Sequence, residues 1–253
     1  MDNDQTLDIY WKFNEAASFY INESFHYANE MMKYMVAIII FPKVLDKIDP
    51  TDKDRKIAKS SNIPNDPIDL MRCNSSGLSE ETITMMSYSW AACRKAAAKI
   101  PNYYFPNNTH CECVELLGHV NNLCFLLEAL TNRHLLFLNQ IKVIDNFSYN
   151  KLESEKLMTI LLYLFKGNQS NITFDKISVL YQLRNKSVHY TPKNLKSISI
   201  QLDELVKIWE QVILILIQFE NEEQFAETSY SGQLKQNVEE FKNKWMNNPN
   251  KEK

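Results

Sequence analysis

Late in the stretch Thr173 to Pro192, TFDKISVLYQLRNKSVHYTP, a guanidinium, an amide and an imidazole come close together: Arg184, Asn185 and His189. Arginine stays charged at any ordinary pH and presents a planar fork of donors matched to phosphate oxygens. Histidine titrates near neutrality and can take or give a proton. Asn185 and His189 are four residues apart and so share one flank of a helix. Such a set can hold a phosphate group and move a proton beside it, with Asn185 orienting the imidazole or gripping the phosphate. Lys186 and Tyr190 are the neighbours placed to bind the same substrate.

The element that positions these groups reads as one helix. Thr173 is its N-cap candidate, Asp175 lies in the first turn, and Pro192 closes it because proline disfavours helix in the residue before it. At about 100° per residue, Ile177, Leu180, Tyr181 and Val188 form one apolar stripe, with Arg184 in its middle. A guanidinium aimed at a core is costly without an anion or acceptor, so the position asks for a partner.

The run Arg184-Asn185-Lys186-Ser187-Val188-His189 fits Arg-Asn-x-x-x-His with an apolar residue before the His, and it resembles the signature of the HEPN superfamily. Many members of that family are small helical, metal-independent ribonucleases that dimerise so that two motifs face one cleft. The resemblance covers the helices from about Cys111 to Phe219. It departs from subfamilies with His-x-Tyr, because Tyr190 here directly follows His189, which leaves the role of Tyr190 open. It implies an all-α, HEPN-like helical bundle with an N-terminal helical extension, RNA as substrate, a homodimer, and no metal or other cofactor. A toxin or antiviral-defence effector silenced by an antitoxin or regulatory protein would fit the family. HEPN-like proteins often orient the motif with an acidic or amide group from an earlier helix, and Glu128 with Asn132 are the candidates here.

RNA carries its own nucleophile, the 2′-hydroxyl. The protein then needs a proton acceptor for that hydroxyl, a donor for the leaving 5′-oxygen, and positive charge for the transition state. His189 supplies one proton carrier per chain, so two-step acid–base work calls for a second copy across a symmetric dimer. The competing reading is a non-catalytic helical interaction or nucleotide-binding module. There Arg184 salt-bridges Glu128 or a C-terminal acid, and His189 caps a helix end.

Composition bounds the rest. The 253 residues are 45% apolar and 11% aromatic, enough for a sizeable core, and only four are glycine, too few for a Gly-rich Rossmann sheet. A formal net charge of −3 carries no global basic signal, so an RNA enzyme needs a local cationic cleft. No Gly-rich phosphate loop marks a kinase or nucleotidyltransferase. The start, MDNDQTLDIYWKF, lacks the pattern of a secretory signal, and the apolar runs Met35–Phe41 and Val212–Ile217 are too short to cross a bilayer. The five cysteines read as reduced thiols, which points to a cytoplasmic protein.

In chain order, one long helix, or two with a bend, runs from about Leu7 to Phe41, stopped by Pro42, with Phe13, Ala17, Tyr20, Ser24, Tyr27, Met31 and Tyr34 on one face. Its aromatic and Met residues (Trp11, Phe19, Phe25, Met31, Met32, Met35) read as core, with a base-stacking face as the alternative. Pro42 to Ser79 reads as loop, and a second helix from Ser79 to Lys99 ends in a small basic face of Arg94, Lys95 and Lys99. The cluster His110-Cys-Glu-Cys113 with His119 reads as a helix start with two partly buried thiols rather than a zinc site.

A long helix from Glu112 to Lys142 carries Leu116, Val120, Leu123, Leu127, Leu130, His134, Leu138 and Ile141 on one stripe. Asp145 to Asn150 reads as a turn and Leu152 to Phe165 as a short helix. After Pro192, a heptad run from Leu195 and Ile198 through Leu202, Leu205, Trp209, Val212, Leu216 and Phe219 predicts a helix at a bundle centre or subunit seam. Leu234, Val238, Phe241 and Trp245 make a last amphipathic helix. The divisions drawn are 1–78 as N-terminal extension and linker, 79–230 as the bundle, and 231–253 as a C-terminal helix and tail.

Overall fold

The computed structural model describes residues 3–45, 94, 97, 99, 103–166, 172–188, 198–223 and 229–247. His189, Tyr190 and Pro192 lie outside the described residues, as does nearly all of the expected helix from Ser79 to Lys99. The described chain is mostly helical, with a single two-stranded sheet among the described residues. No helix of the described residues is long and apolar enough to cross a membrane.

The elements are α1 (Asn3–Leu45), β1 (His110–Cys111), α2 (Val114–Gln140), α3 (Asn146–Glu153), α4 (Leu157–Leu164), α5 (Phe174–Val188), β2 (Ile200–Gln201), α6 (Leu202–Glu223) and α7 (Tyr230–Trp245). Two compact units divide the chain, one of residues 1–29 with 104–253 and one of 30–103. That division differs from the boundary at residue 78, because α1 as far as Asn29 and the whole of α7 pack with the bundle helices. The smaller unit is described only at the end of α1 and at a few later residues. There Met31, Met32, Val36 and Ala37 are buried. Arg94 donates to Glu30 at 3.4 Å and lies 5.5 Å from the Tyr34 ring centroid, so the arginine of the expected basic face is turned to a carboxylate and a ring.

In the larger unit, pairs of touching residues fix the helix directions. From α1 to α2, Tyr27 meets Gly118, Ser24 meets His119, the Tyr20 ring meets Phe125 at a tilt, and Asn14 reaches Arg133, so the two helices are antiparallel. Their close approach depends on Gly118, where an added Cβ would stand 2.6 Å from Tyr27. From α2 to α6, His119 meets Trp209 and Arg133 meets Glu223, so these run parallel. Both α5 and α7 run against α6: Thr173 and Lys176 meet Gln211 and Glu204, while Ser231 and Lys242 meet Glu220 and Glu210. The result is an up-and-down bundle with α2 and α6 side by side at its centre.

The heptad residues Leu202, Leu205, Trp209, Val212, Leu216 and Phe219 are all buried, as are Leu116 to Leu138 of the α2 stripe. Each such side chain contributes about 1.5–3 kcal/mol by leaving water. Leu234, Val238, Phe241 and Trp245 are buried too, so α7 docks on its own chain.

Five local expectations fail for identifiable reasons. Helix α1 continues through Pro42 to Leu45, the last described residue there, so the proline does not end it where expected and costs the backbone bond its missing N–H would make. Helix α6 starts at Leu202, not near Leu195, because Ile200 and Gln201 pair antiparallel with Cys111 and His110. The Leu202 and Asp203 amides then donate to the Thr109 and Asn107 carbonyls at 2.9 Å, which caps the new helix. Asp145 opens helix α3 by accepting from the Ser148 amide at 2.7 Å, so 145–150 is a cap and first turns rather than a loop turn. The expected single helix from Leu152 to Phe165 is divided between α3 and α4. His110 and Cys111 form a strand, and the α2 helix starts after Cys113.

Candidate functional site

Helix α5 lies antiparallel along α2, and three rungs join them. The Ser187 hydroxyl lies 2.8 Å from Asn121 Oδ1 and 2.7 Å from the Arg184 carbonyl. The Arg184 guanidinium carbon is 6.0 Å from the Phe125 ring centroid. The Tyr181 hydroxyl is within 3.3 Å of Glu128 Oε1 and 3.4 Å of the Cys124 carbonyl. Positions 121, 125 and 128 fall on one face of α2 by helical spacing, and that face is the wall behind the motif. Beneath α5, Lys176 pairs with Glu204 and the Thr173 amide donates to Gln211, which fixes the start of the helix on α6.

The buried face of α5 is Ile177, Leu180, Leu183 and Ser187. Val188, expected in the stripe, is 57% exposed. The stripe is thus rotated toward Leu183 and Ser187, which shifts Arg184 from its centre to its edge. There Arg184 is half-buried, while Asn185 and Lys186 are exposed beside it.

No hydrogen bond or ion pair satisfies Arg184 among the described residues, and its Nε is buried without a partner. An orphaned buried donor costs about 1–3 kcal/mol. The Phe125 ring, at the outer limit of cation–π distance, returns at most about 1 kcal/mol. An oxyanion approaching this edge would meet a cation that is paired with no carboxylate among the described residues. Glu128, one of the two groups expected to orient the motif, is instead engaged by Tyr181. Asn132, the other, is half-buried and makes no hydrogen bond among the described residues. The Tyr181 hydroxyl is held far above its usual range, first by burial and then by Cys124 and Glu128, with the Arg184 charge opposing. Burial also raises the Cys124 thiol, again against Arg184.

No family model, curated protein or solved structure matches this chain. The geometry therefore carries the comparison between sites, and a second arginine supplies the contrast.

Arg133 is 3% exposed and donates to Glu223 Oε2 at 2.5 Å and to Asn14 Oδ1 at 2.8 Å, with the Tyr230 ring 5.3 Å away. His134 sits between Glu223 Oε1 and Glu222 Oε2, each at 3.1 Å, and stacks on Phe219 at 4.3 Å. This is a histidine fully engaged inside the fold. His119 is likewise consumed: Trp209 Nε1 donates to its Nε2 at 2.8 Å, which leaves the proton on Nδ1, 2.8 Å from the Ser24 carbonyl. Burial depresses its pKa to about 4.

Cys111 and Cys113 face no pair of metal ligands, and no group of three His, Cys, Asp or Glu side chains able to hold a metal occurs among the described residues. Burial pushes the Cys111 thiol up to about 12, away from reactive thiolate.

Sequence reasoning missed Phe125 and Tyr181 as walls of the site, and Asn121 and Ser187 as the rung that holds the end of α5. The spacing of Asn121, Phe125 and Glu128 on α2 held that signal, since polar and aromatic residues alternating at helical intervals mark a face against something other than plain core.

Proposed function

We propose that the chain is a HEPN-type endoribonuclease that cleaves RNA by 2′-hydroxyl attack without a metal, at a composite site formed by two copies. The observation that carries this reading is the Arg184 guanidinium: half-buried, free of any carboxylate among the described residues, and at the exposed edge of its helix. A structural arginine in this fold looks like Arg133, locked to a buried acid. Arg184 pairs with no such acid among the described residues, and its natural complement is a phosphate diester.

In this mechanism the 2′-oxygen attacks phosphorus and loses its proton to one imidazole, while the 5′-oxygen leaves with a proton from the other. Arg184 neutralises the charge on the non-bridging oxygens. Asn185, exposed one residue on, holds phosphate or orients His189, and Lys186 adds a second cation nearby. Tyr181 and Glu128 keep the wall behind Arg184 rigid. The reading is tested by end-group analysis of RNA fragments produced in EDTA. Fragments ending in 2′,3′-cyclic phosphate with wild type, and none with His189→Ala, are expected. Fragments ending in 3′-hydroxyl would overturn it.

A further inference from the structure

A line of aromatic rings leads away from Arg184 across the bundle. Phe125 stands against the guanidinium at 6.0 Å; the Tyr20 ring is 5.5 Å from Phe125 and tilted 42° to it; and Phe19 meets Tyr20 edge-to-face at 5.6 Å and 70°, so each ring presents its own face. Exposure grows along it. Phe125 and Tyr20 are half-buried, and Phe19, on α1, is 58% exposed. The residues beside these on α1 are spent on packing: Ala17, Ile21, Ser24 and Phe25 are buried. Phe19 is not, although a large apolar ring gains nothing by facing water. Glu128, the carboxylate one turn from Phe125, accepts from Tyr181 and makes no ion pair with Arg184 among the described residues.

We infer that Phe19, Tyr20 and Phe125 form a stacking platform for the unpaired bases of a single-stranded RNA whose phosphate is held at Arg184. The ligand that complements this line must carry flat π-faces and an anion together. A nucleic-acid strand does so, because every base offers a face to a ring and every link a phosphate to a guanidinium. A duplex keeps its bases stacked on one another and cannot present them. The inference rests on the ribonuclease reading for the placement of the phosphate, and it adds what that reading lacks, a preference for unpaired strand and the residues that impose it.

The test is fluorescence anisotropy of the full chain with fluorescein-labelled single-stranded RNA, the same sequence as single-stranded DNA, and the RNA duplex, all in EDTA. Cleavage of the RNA is followed in parallel. Wild type is expected to bind both single strands and the duplex far more weakly. Phe19→Ala, an exposed position where the fold has little to lose, is expected to weaken single-strand binding about tenfold, and Phe19→Tyr to restore it. Unchanged binding by Phe19→Ala, equal affinity for duplex, or no binding of any strand overturns the platform. RNA cleavage together with Phe19-independent binding removes the platform alone. Phe19-dependent binding of single-stranded DNA, without cleavage of RNA by any variant, supports the platform and removes the ribonuclease.

Discussion

The Arg133 guanidinium donates to Glu223 Oε2 at 2.5 Å, and the two side chains are 4% and 5% exposed. Arg133 comes from the C-terminal third of the long helix α2 and Glu223 is the last residue of α6, so the pair ties two parallel helices together near their C-terminal ends. Removing one partner of a buried ion pair leaves an uncompensated charge and costs about 3–5 kcal/mol. Glu223→Ala is therefore expected to lower unfolding free energy by that amount in urea titration, whereas Glu222→Ala, at the more exposed side of His134, costs far less. Equal losses would mean that the buried pair does not hold these helices.

Gly118 permits the contact between α1 and α2. A methyl at that position stands 2.6 Å from the Tyr27 ring, too close for the ring to remain. Gly118→Ala should destabilise by about 1–3 kcal/mol despite the better helix propensity of alanine. Adding Tyr27→Ala should recover part of the loss, and strict additivity in the double variant would contradict the contact.

The His119 imidazole is neutral in the fold, between the Trp209 indole and the Ser24 carbonyl, with its pKa depressed to about 4. The unfolded chain takes up a proton near pH 6.5 that the folded chain refuses until about pH 4, so stability falls as pH falls through that window. Between pH 7 and 5 the loss attributable to this residue is about 2 kcal/mol. His119→Gln should be less stable at pH 7 but lose less on acidification. A slope identical to wild type would remove His119 as the cause.

Much of this architecture was legible from periodicity. The α2 stripe from Leu116 to Leu138 and the α6 stripe from Leu202 to Phe219 are buried as their spacing predicts, because three-and-four spacing of leucines and aromatics over many turns has few alternatives, while Ile141 beyond the end of α2 is half exposed. Short and hybrid segments are not: Ile198 continues the heptad spacing, yet the chain there is not helical, and Ile200 pairs with Cys111 in a strand, a long-range contact that no local pattern encodes. The aromatic residues of α1 divided in a way that spacing alone did not resolve, with Phe25, Met31 and Met32 buried and Trp11 and Phe19 exposed.

For the motif, the tension between an apolar helix and Arg184 was visible in sequence. Its resolution was not, because Leu183 and Ser187, rather than Tyr181 and Val188, complete the buried face. That rotation depends on Ser187 meeting Asn121 on a helix far away in sequence.

The most direct measurement of the central claim is RNA cleavage in EDTA by wild type, Arg184→Ala and Arg184→Lys, with urea titrations of all three. Because no partner in the described fold depends on the Arg184 guanidinium, its removal should leave stability within about 1 kcal/mol of wild type while abolishing cleavage. Arg184→Lys should retain only a small fraction of activity, since an ammonium lacks the two-pronged grip on phosphate. Cleavage by Arg184→Ala at the wild-type rate, or a stability loss as large as that of a broken buried ion pair, would contradict the account.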